Sequence, residues 1–329
     1  MNAANLSHPS RRRFLAGAAL GAACGMMPGA LSARAPMAGT QAPAFYRFKL
    51  GSFEGTVVSD GPLPLGEPQA NIYVGLSKEA FAKTLTDNYL STENVSLDQN
   101  ALVINTGNQL VLFDTGVGST KMMGPNTGRL MANLQAAGID TKDIDAIVLS
   151  HAHPDHCWGL MAADGARNFP NAQIYMAQSD LEFWTDEAKL KIAEIKDFVA
   201  GTRAQLLPNR ERIQFFKDGQ EFLPGIQAMA APGHTVGHTI FLIASGGRTL
   251  CFAADTAHHH VVPLEQPRLT FAYDTDGNLG AESRIRVLDM LVSQRIPSIT
   301  YHFPWPGIGH IGKSGSGYRY FPTPMQTVL

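Results

Sequence analysis

Residues 144–156 read Ile144-Asp145-Ala146-Ile147-Val148-Leu149-Ser150-His151-Ala152-His153-Pro154-Asp155-His156. The first half is a short apolar run of the kind that forms a buried strand. The second half crowds three imidazoles and a carboxylate into six residues. A strand ending in nitrogen and oxygen donors marks a metal site, and imidazole with carboxylate suits Zn²⁺ and its first-row neighbours. A solvated His-rich turn is the alternative, and residues further along the chain decide against it.

Three downstream stretches supply partners. Ala231-Pro232-Gly233-His234-Thr235-Val236-Gly237-His238-Thr239 sets His234 in a Gly-rich turn between apolar runs. Leu250-Cys251-Phe252-Ala253-Ala254-Asp255 is an apolar strand ending on a carboxylate, and Ile299-Thr300-Tyr301-His302 is another ending on a histidine. Alone, His302 reads as a hydrogen-bonded histidine and Asp255 as a helix N-cap. In α/β chains, however, ligands gather at the carboxyl ends of strands, so these positions can meet at one edge.

The order H-x-H-x-D-H, then a His in G-H-T-x-G-H, then Asp255, then His302 resembles the metallo-β-lactamase-fold hydrolases. Phe113-Asp114-Thr115-Gly116 resembles the turn these proteins carry after an early strand, and the likeness runs from about residue 45 onward. Within that superfamily the chain is most similar to methyl parathion hydrolase-type enzymes. Gly124-Pro125 with Gly128–Leu134, Phe183-Trp184, Tyr273-Asp274-Thr275-Asp276 and Phe303–His310 carry that finer resemblance. It implies an α/β chain folded as a four-layer αβ/βα sandwich. It also implies two divalent metal ions, zinc first, with manganese, cobalt or iron as alternatives. His151, His153 and His234 would hold one ion, Asp155, His156 and His302 the other, and Asp255 would bridge them. Seven protein ligands with one shared leave room for a bridging hydroxide, which makes Asp255 part of the catalytic centre. The implied activity is hydrolysis of neutral organophosphate triesters or related esters, with lactones and aryl esters as the alternative. A mononuclear iron oxygenase of the same fold would need only His151, His153, His234 and Asp255. A binding protein that has lost catalysis would show a degenerate ligand set, and all seven positions are filled here.

Around these ligands, Asp114, His238 and Thr235 are the expected supports, because ligating imidazoles donate their second N–H to a neighbour. His258, His259 and His260, just after Asp255, look like a source of an eighth ligand but are expected to line the pocket entrance or lie at the surface, and His310 in a loop is expected as a further support. Trp184 and Met123 are the expected substrate contacts, with Phe183, Met122, Phe303 and Trp305 completing an apolar wall; core packing is the alternative for Trp184 and Phe183. Methyl parathion hydrolases tend to carry an aromatic where Met123 precedes Gly124-Pro125. No Lys or Arg stands beside the ligand motifs in sequence, which disfavours a carboxylate-bearing β-lactam.

Composition fits a small-molecule enzyme. The 329 residues are 44% hydrophobic, with a formal net charge of −2 and no basic patch that would grip nucleic acid. Ser10-Arg11-Arg12-Arg13-Phe14-Leu15 before an Ala/Gly-rich stretch resembles a twin-arginine export motif. Residues 1–35 are therefore expected to be a signal peptide and 36–329 the hydrolase domain, periplasmic or secreted, with no membrane contact after processing. Gly21-Ala22-Ala23 makes a poor lipoprotein box before Cys24. Cys157 and Cys251 are expected as free, packed thiols. The resemblance implies a homodimer by analogy alone. Strands are expected at 44–60, 101–114, 173–177, 211–216, 226–231, 239–244, 249–254 and 298–301. Helices are expected at 127–138, from Asp155 to about Met161, one or two across 179–200, and at 281–294, with long loops at 61–68 and 303–317.

Overall fold

Near-continuous apolar runs bounded by Gly turns build two seven-stranded sheets in this computed structural model, which describes residues 44–120, 122–325 and 328–329. The first sheet runs in space Phe45–Leu50, Phe53–Ser59, Asn100–Asn105, Leu110–Phe113, Ala146–Val148, Gln173–Met176, Ile213–Phe215. Its first four strands are antiparallel, and the last four run parallel to one another. The second sheet runs Glu221–Leu223, Ile226–Ala230, Thr239–Ser245, Arg248–Ala254, Ser298–Thr300, Ile308–Ser314, Gly317–Pro322. Only the pair Arg248–Ala254 with Ser298–Thr300 is parallel there. Parallel strands need cover on both faces, which is why Ala146-Ile147-Val148 is apolar without alternation and fully buried.

The sheets pack face to face. Phe113 of the first lies between Phe241 and Phe252 of the second, at ring-centroid distances of 5.5 and 5.3 Å. Helices cover the outer faces. Leu130–Ala136 packs on the first sheet, and Gly277–Gln294 buries Val287, Leu288 and Leu291 with Ile240, Cys251 and Ala253 of the second. This is the four-layer αβ/βα sandwich that the resemblance implied.

Several elements differ from expectation. The 127–138 helix is only Leu130–Ala136, because the N–H groups of Arg129 and Leu130 bond to Asp60. The expected Asp155–Met161 helix is a single turn, Pro154–Cys157, with His153 at its N-cap. It stops there because the Gly159 N–H turns away to bond the Gly116 carbonyl. The 179–200 stretch takes the two-helix form of its expectation, Gln178–Thr185 and Lys196–Leu206, with a 3₁₀ turn Glu187–Lys191 between them. The expected loops at 61–68 and 303–317 contain strands. Leu63–Gly66 pairs with the distant Val95–Leu97, and Ile308–Ser314 forms a hairpin with Gly317–Pro322. The helix Lys78–Asp87, capped by Ser77 Oγ accepting from the Ala80 N–H at 3.1 Å, is an addition to the expected elements. Among the described residues no helix is long and apolar enough to cross a membrane. The export segment and Cys24 lie outside the described residues. Cys157 and Cys251 are buried free thiols, as expected.

Candidate metal centre

Each donor sits where a strand stops. His151 to His156 follow Ala146–Val148, His234 follows Ile226–Ala230, Asp255 follows Arg248–Ala254, and His302 follows Ser298–Thr300. Two strand ends carry backbone strain at this edge. Asp114 has φ +60° and Ala254 has φ +42°, a left-handed region that L side chains rarely occupy. At Ala254 the register with Ser298–Thr300 also shifts, which turns Asp255 out of the ladder.

The seven sequence-predicted ligands converge. His234 Nε2 lies 2.9 Å from His153 Nδ1, 3.2 Å from His151 Nε2 and 3.3 Å from Asp255 Oδ2. On the other side, Asp155 Oδ2 lies 3.5 Å from His156 Nε2 and 3.3 Å from His302 Nε2. Asp255 faces both groups, with Oδ2 3.2 Å from His302 Nε2 and Oδ1 3.3 Å from His156 Nε2. A tetrahedron of zinc–nitrogen bonds near 2.0–2.1 Å has edges of about 3.3–3.4 Å, so these separations suit donors around a small cation. His156 Nε2 and Asp255 Oδ1 are buried without a hydrogen-bond partner, a costly state that a cation between them relieves. The residues present therefore fit a divalent metal centre.

The supporting contacts follow one rule. His156 Nδ1 is 2.8 Å from Asp114 Oδ2, His234 Nδ1 is 2.9 Å from Asp274 Oδ1, and His302 Nδ1 is 2.9 Å from the Asp98 carbonyl. His151 Nδ1 is 3.0 Å from Ser150 Oγ. Such contacts fix the tautomer and aim the other nitrogen at the metal. Of the expected supports, Asp114 is on His156, His238 accepts the Asp255 N–H at 3.1 Å, and Thr235 donates to Asp180 at 3.0 Å. The roles of Asp274, Asp98, Ser150 and Asp180 are not readable from the sequence. Tyr273-Asp274 does stand out as a motif, but nothing local ties it to His234.

Electrostatics reflect this crowding. Burial alone would raise Asp255, but the positive charge of His156 and His302 outweighs it and holds the carboxyl well below its usual range. Burial opposes charge on His302, yet Asp255 and Asp155 raise it to about 10; His234, between Asp255 and Asp274, rises to about 9. His151 and His153 are pushed well down by burial and by neighbouring imidazoles. A cation competes with protons for these imidazoles, so metal binding here is expected to depend on pH.

A cavity of about 350 Å³ opens over the donors. Leu63, Leu65, Leu97, Met122, Met123, Phe198 and Phe271 form its wall, with no Lys or Arg among its described lining residues. Met123 lines this cavity as expected. Trp184 does not: it is buried behind His153, edge-on at 5.0 Å, because its helix faces the core. Of its two expected places, pocket entrance or surface, His258 takes the pocket. It lines the cavity, stacks on Phe271 at 3.9 Å and brings Nε2 to 3.3 Å from Asp255 Oδ2. His259 is buried and accepts from the Val261 N–H, and His260 packs near Phe303 and Tyr320. His310 lies on a strand, exposed, beside Arg248 and Arg295, and supports nothing at the donors.

Comparisons with known proteins agree with this geometry. Residues 96–293 match the family model described as the metallo-beta-lactamase superfamily. An N-acyl homoserine lactonase of Bacillus cereus is 25% identical over 194 residues, covering 59% of this chain and 66% of its own length. The solved structure of AidC, a dizinc quorum-quenching lactonase bound to a product, superposes with a TM-score of 0.79 at 28% identity, covering 86% of this chain and 98% of AidC. The hydrolase AbOPH superposes with a TM-score of 0.80 at 28% identity, covering 87% and 100%. The chain belongs to the metallo-β-lactamase superfamily and is a metal-dependent hydrolase of that fold.

Proposed function

We propose that this chain is a two-metal hydrolase of carboxylic esters, opening a lactone or cleaving an aryl ester whose remaining part is neutral and apolar. The observation that carries this is the cavity: donors at its floor, hydrocarbon on its walls, and no cationic side chain among its described lining residues. Apolar walls with a few convergent polar groups orient a substrate without demanding a charge on it. The lactonase relatives named above support the carboxylic reading over the phosphotriester one. When bound, two divalent ions lower the pKa of water and polarise the ester oxygen. His151, His153 and His234 would hold one ion, Asp155, His156 and His302 the other, with Asp255 between them. Asp274 and Asp114 keep His234 and His156 in the tautomer that presents Nε2. The Leu63, Met123 and Phe271 wall excludes water from the acyl or aryl part. The complete second donor set weighs against a mononuclear oxygenase, which would not use it.

The test is kcat/KM of the zinc-loaded protein on an acyl homoserine lactone, an aryl acetate and a dimethyl aryl phosphotriester. We expect lactone or aryl ester to lead by a hundredfold or more, about 2.7 kcal/mol of transition-state discrimination. A phosphotriester lead of that size would overturn the proposal.

A further inference from the structure

We propose that Asp180 is a positioning residue for one of the two metal positions and not for the other. This rests on the two-ion reading of the site. Asp180 is fully buried in the first turn of Gln178–Thr185. Its Oδ2 accepts the Ala152 N–H at 2.7 Å and the Thr235 hydroxyl at 3.0 Å, and its Oδ1 accepts the Gly237 N–H at 2.6 Å. Ala152 stands between His151 and His153, and Thr235 follows His234. One carboxylate thus ties together the two loops that carry all three histidines of the first donor group. Trp184, one helical turn later, supports His153 from the same helix.

The second donor group has an anchor that Asp180 does not touch. Asp114 accepts from the Ser150 N–H and the Ser150 hydroxyl, each at 2.8 Å, and pairs with His156; through the Ser150 hydroxyl it also reaches His151 of the first group. His302 leans on the Asp98 carbonyl. The loop approaches Asp180 closely because residue 237 is glycine: a Cβ there would stand 2.7 Å from Ser179 Oγ and 2.9 Å from the Asp180 nitrogen. An amide in place of the carboxylate keeps the size but has one acceptor oxygen for three donors.

The experiment places Asp180→Asn in two backgrounds, each with one donor group disabled: His302→Ala and His153→Ala. Zinc retained per chain is measured by elemental analysis after dialysis against graded chelator. In the His302→Ala background, Asp180→Asn is expected to release the remaining zinc at about tenfold lower chelator, within the range for lost support of a ligand. In the His153→Ala background it is expected to leave retention unchanged. Gly237→Ala and Thr235→Val, which leave the carboxylate in place, are expected to give the same asymmetry if Asp180→Asn folds poorly. Equal weakening in both backgrounds, or none in either, overturns the proposal. A wild type that never holds two zinc ions overturns the two-ion reading instead, and this proposal with it.

Discussion

Asp255 is the residue at which the two donor groups meet, and its carboxylate faces histidines on both sides. Asp255→Ala should lower kcat by about a thousandfold or more and reduce zinc per chain, while circular dichroism stays near wild type; near-normal turnover would remove Asp255 from the centre. Asp274 acts at one remove, through His234. Asp274→Asn should weaken zinc retention about 10- to 100-fold, read by chelator competition, and unchanged retention would make the contact incidental. The candidate ligands stand out in sequence because they follow apolar runs, and strand ends of such chains share an edge. Asp274, Asp98 and Asp180 do not, because an isolated aspartate carries no local sign of the histidine or amide it meets across the fold.

At the scale of elements, the segment carrying Met122 and Met123 is held by Asp60. Its Oδ2 accepts the Val117 N–H at 2.8 Å and its Oδ1 the Leu130 N–H at 2.7 Å. Burial raises this carboxyl to about 7, against the pull of those N–H groups. The folded state therefore holds the proton more tightly than the unfolded chain, whose carboxyl titrates at roughly 4. The resulting stability is fully present below roughly pH 4 and is lost as pH rises through about 7. In metal-free protein, the stability of wild type relative to Asp60→Asn should fall across that window in urea melts. Parallel curves for the two proteins would show that Asp60 does not titrate there. The strands of the sandwich core are legible from their apolar runs. Leu63–Gly66 and Ile308–Ser314 are not, because Pro and Gly obscure the alternation and pairing with a neighbouring strand decides them.

For the whole molecule, the first sheet supplies His151 to His156, and the second supplies His234, Asp255 and His302. A metal held by both joins the two layers, so chelation should lower Tm reversibly, with recovery on adding zinc; a Tm indifferent to chelator would mean that the ions add no stability. The layers also share Phe113, fully buried between Phe241 and Phe252. Phe113→Ala should cost about 3–5 kcal/mol in denaturant melts, and a loss below about 1 kcal/mol would show that the interface closes over the gap.

The sequence by itself determined the apolar runs, the donors that follow them and, through the order of its motifs, the resemblance that implied the class of fold, because apolar runs and motif spacing are local properties. Only the tertiary structure decided which supports hold those donors, that Trp184 lies behind His153 rather than in the cavity, and that His258 faces Asp255. Those outcomes depend on which segments the two sheets bring within hydrogen-bond reach, and hydrogen bonds act over about 3 Å whatever the separation along the chain.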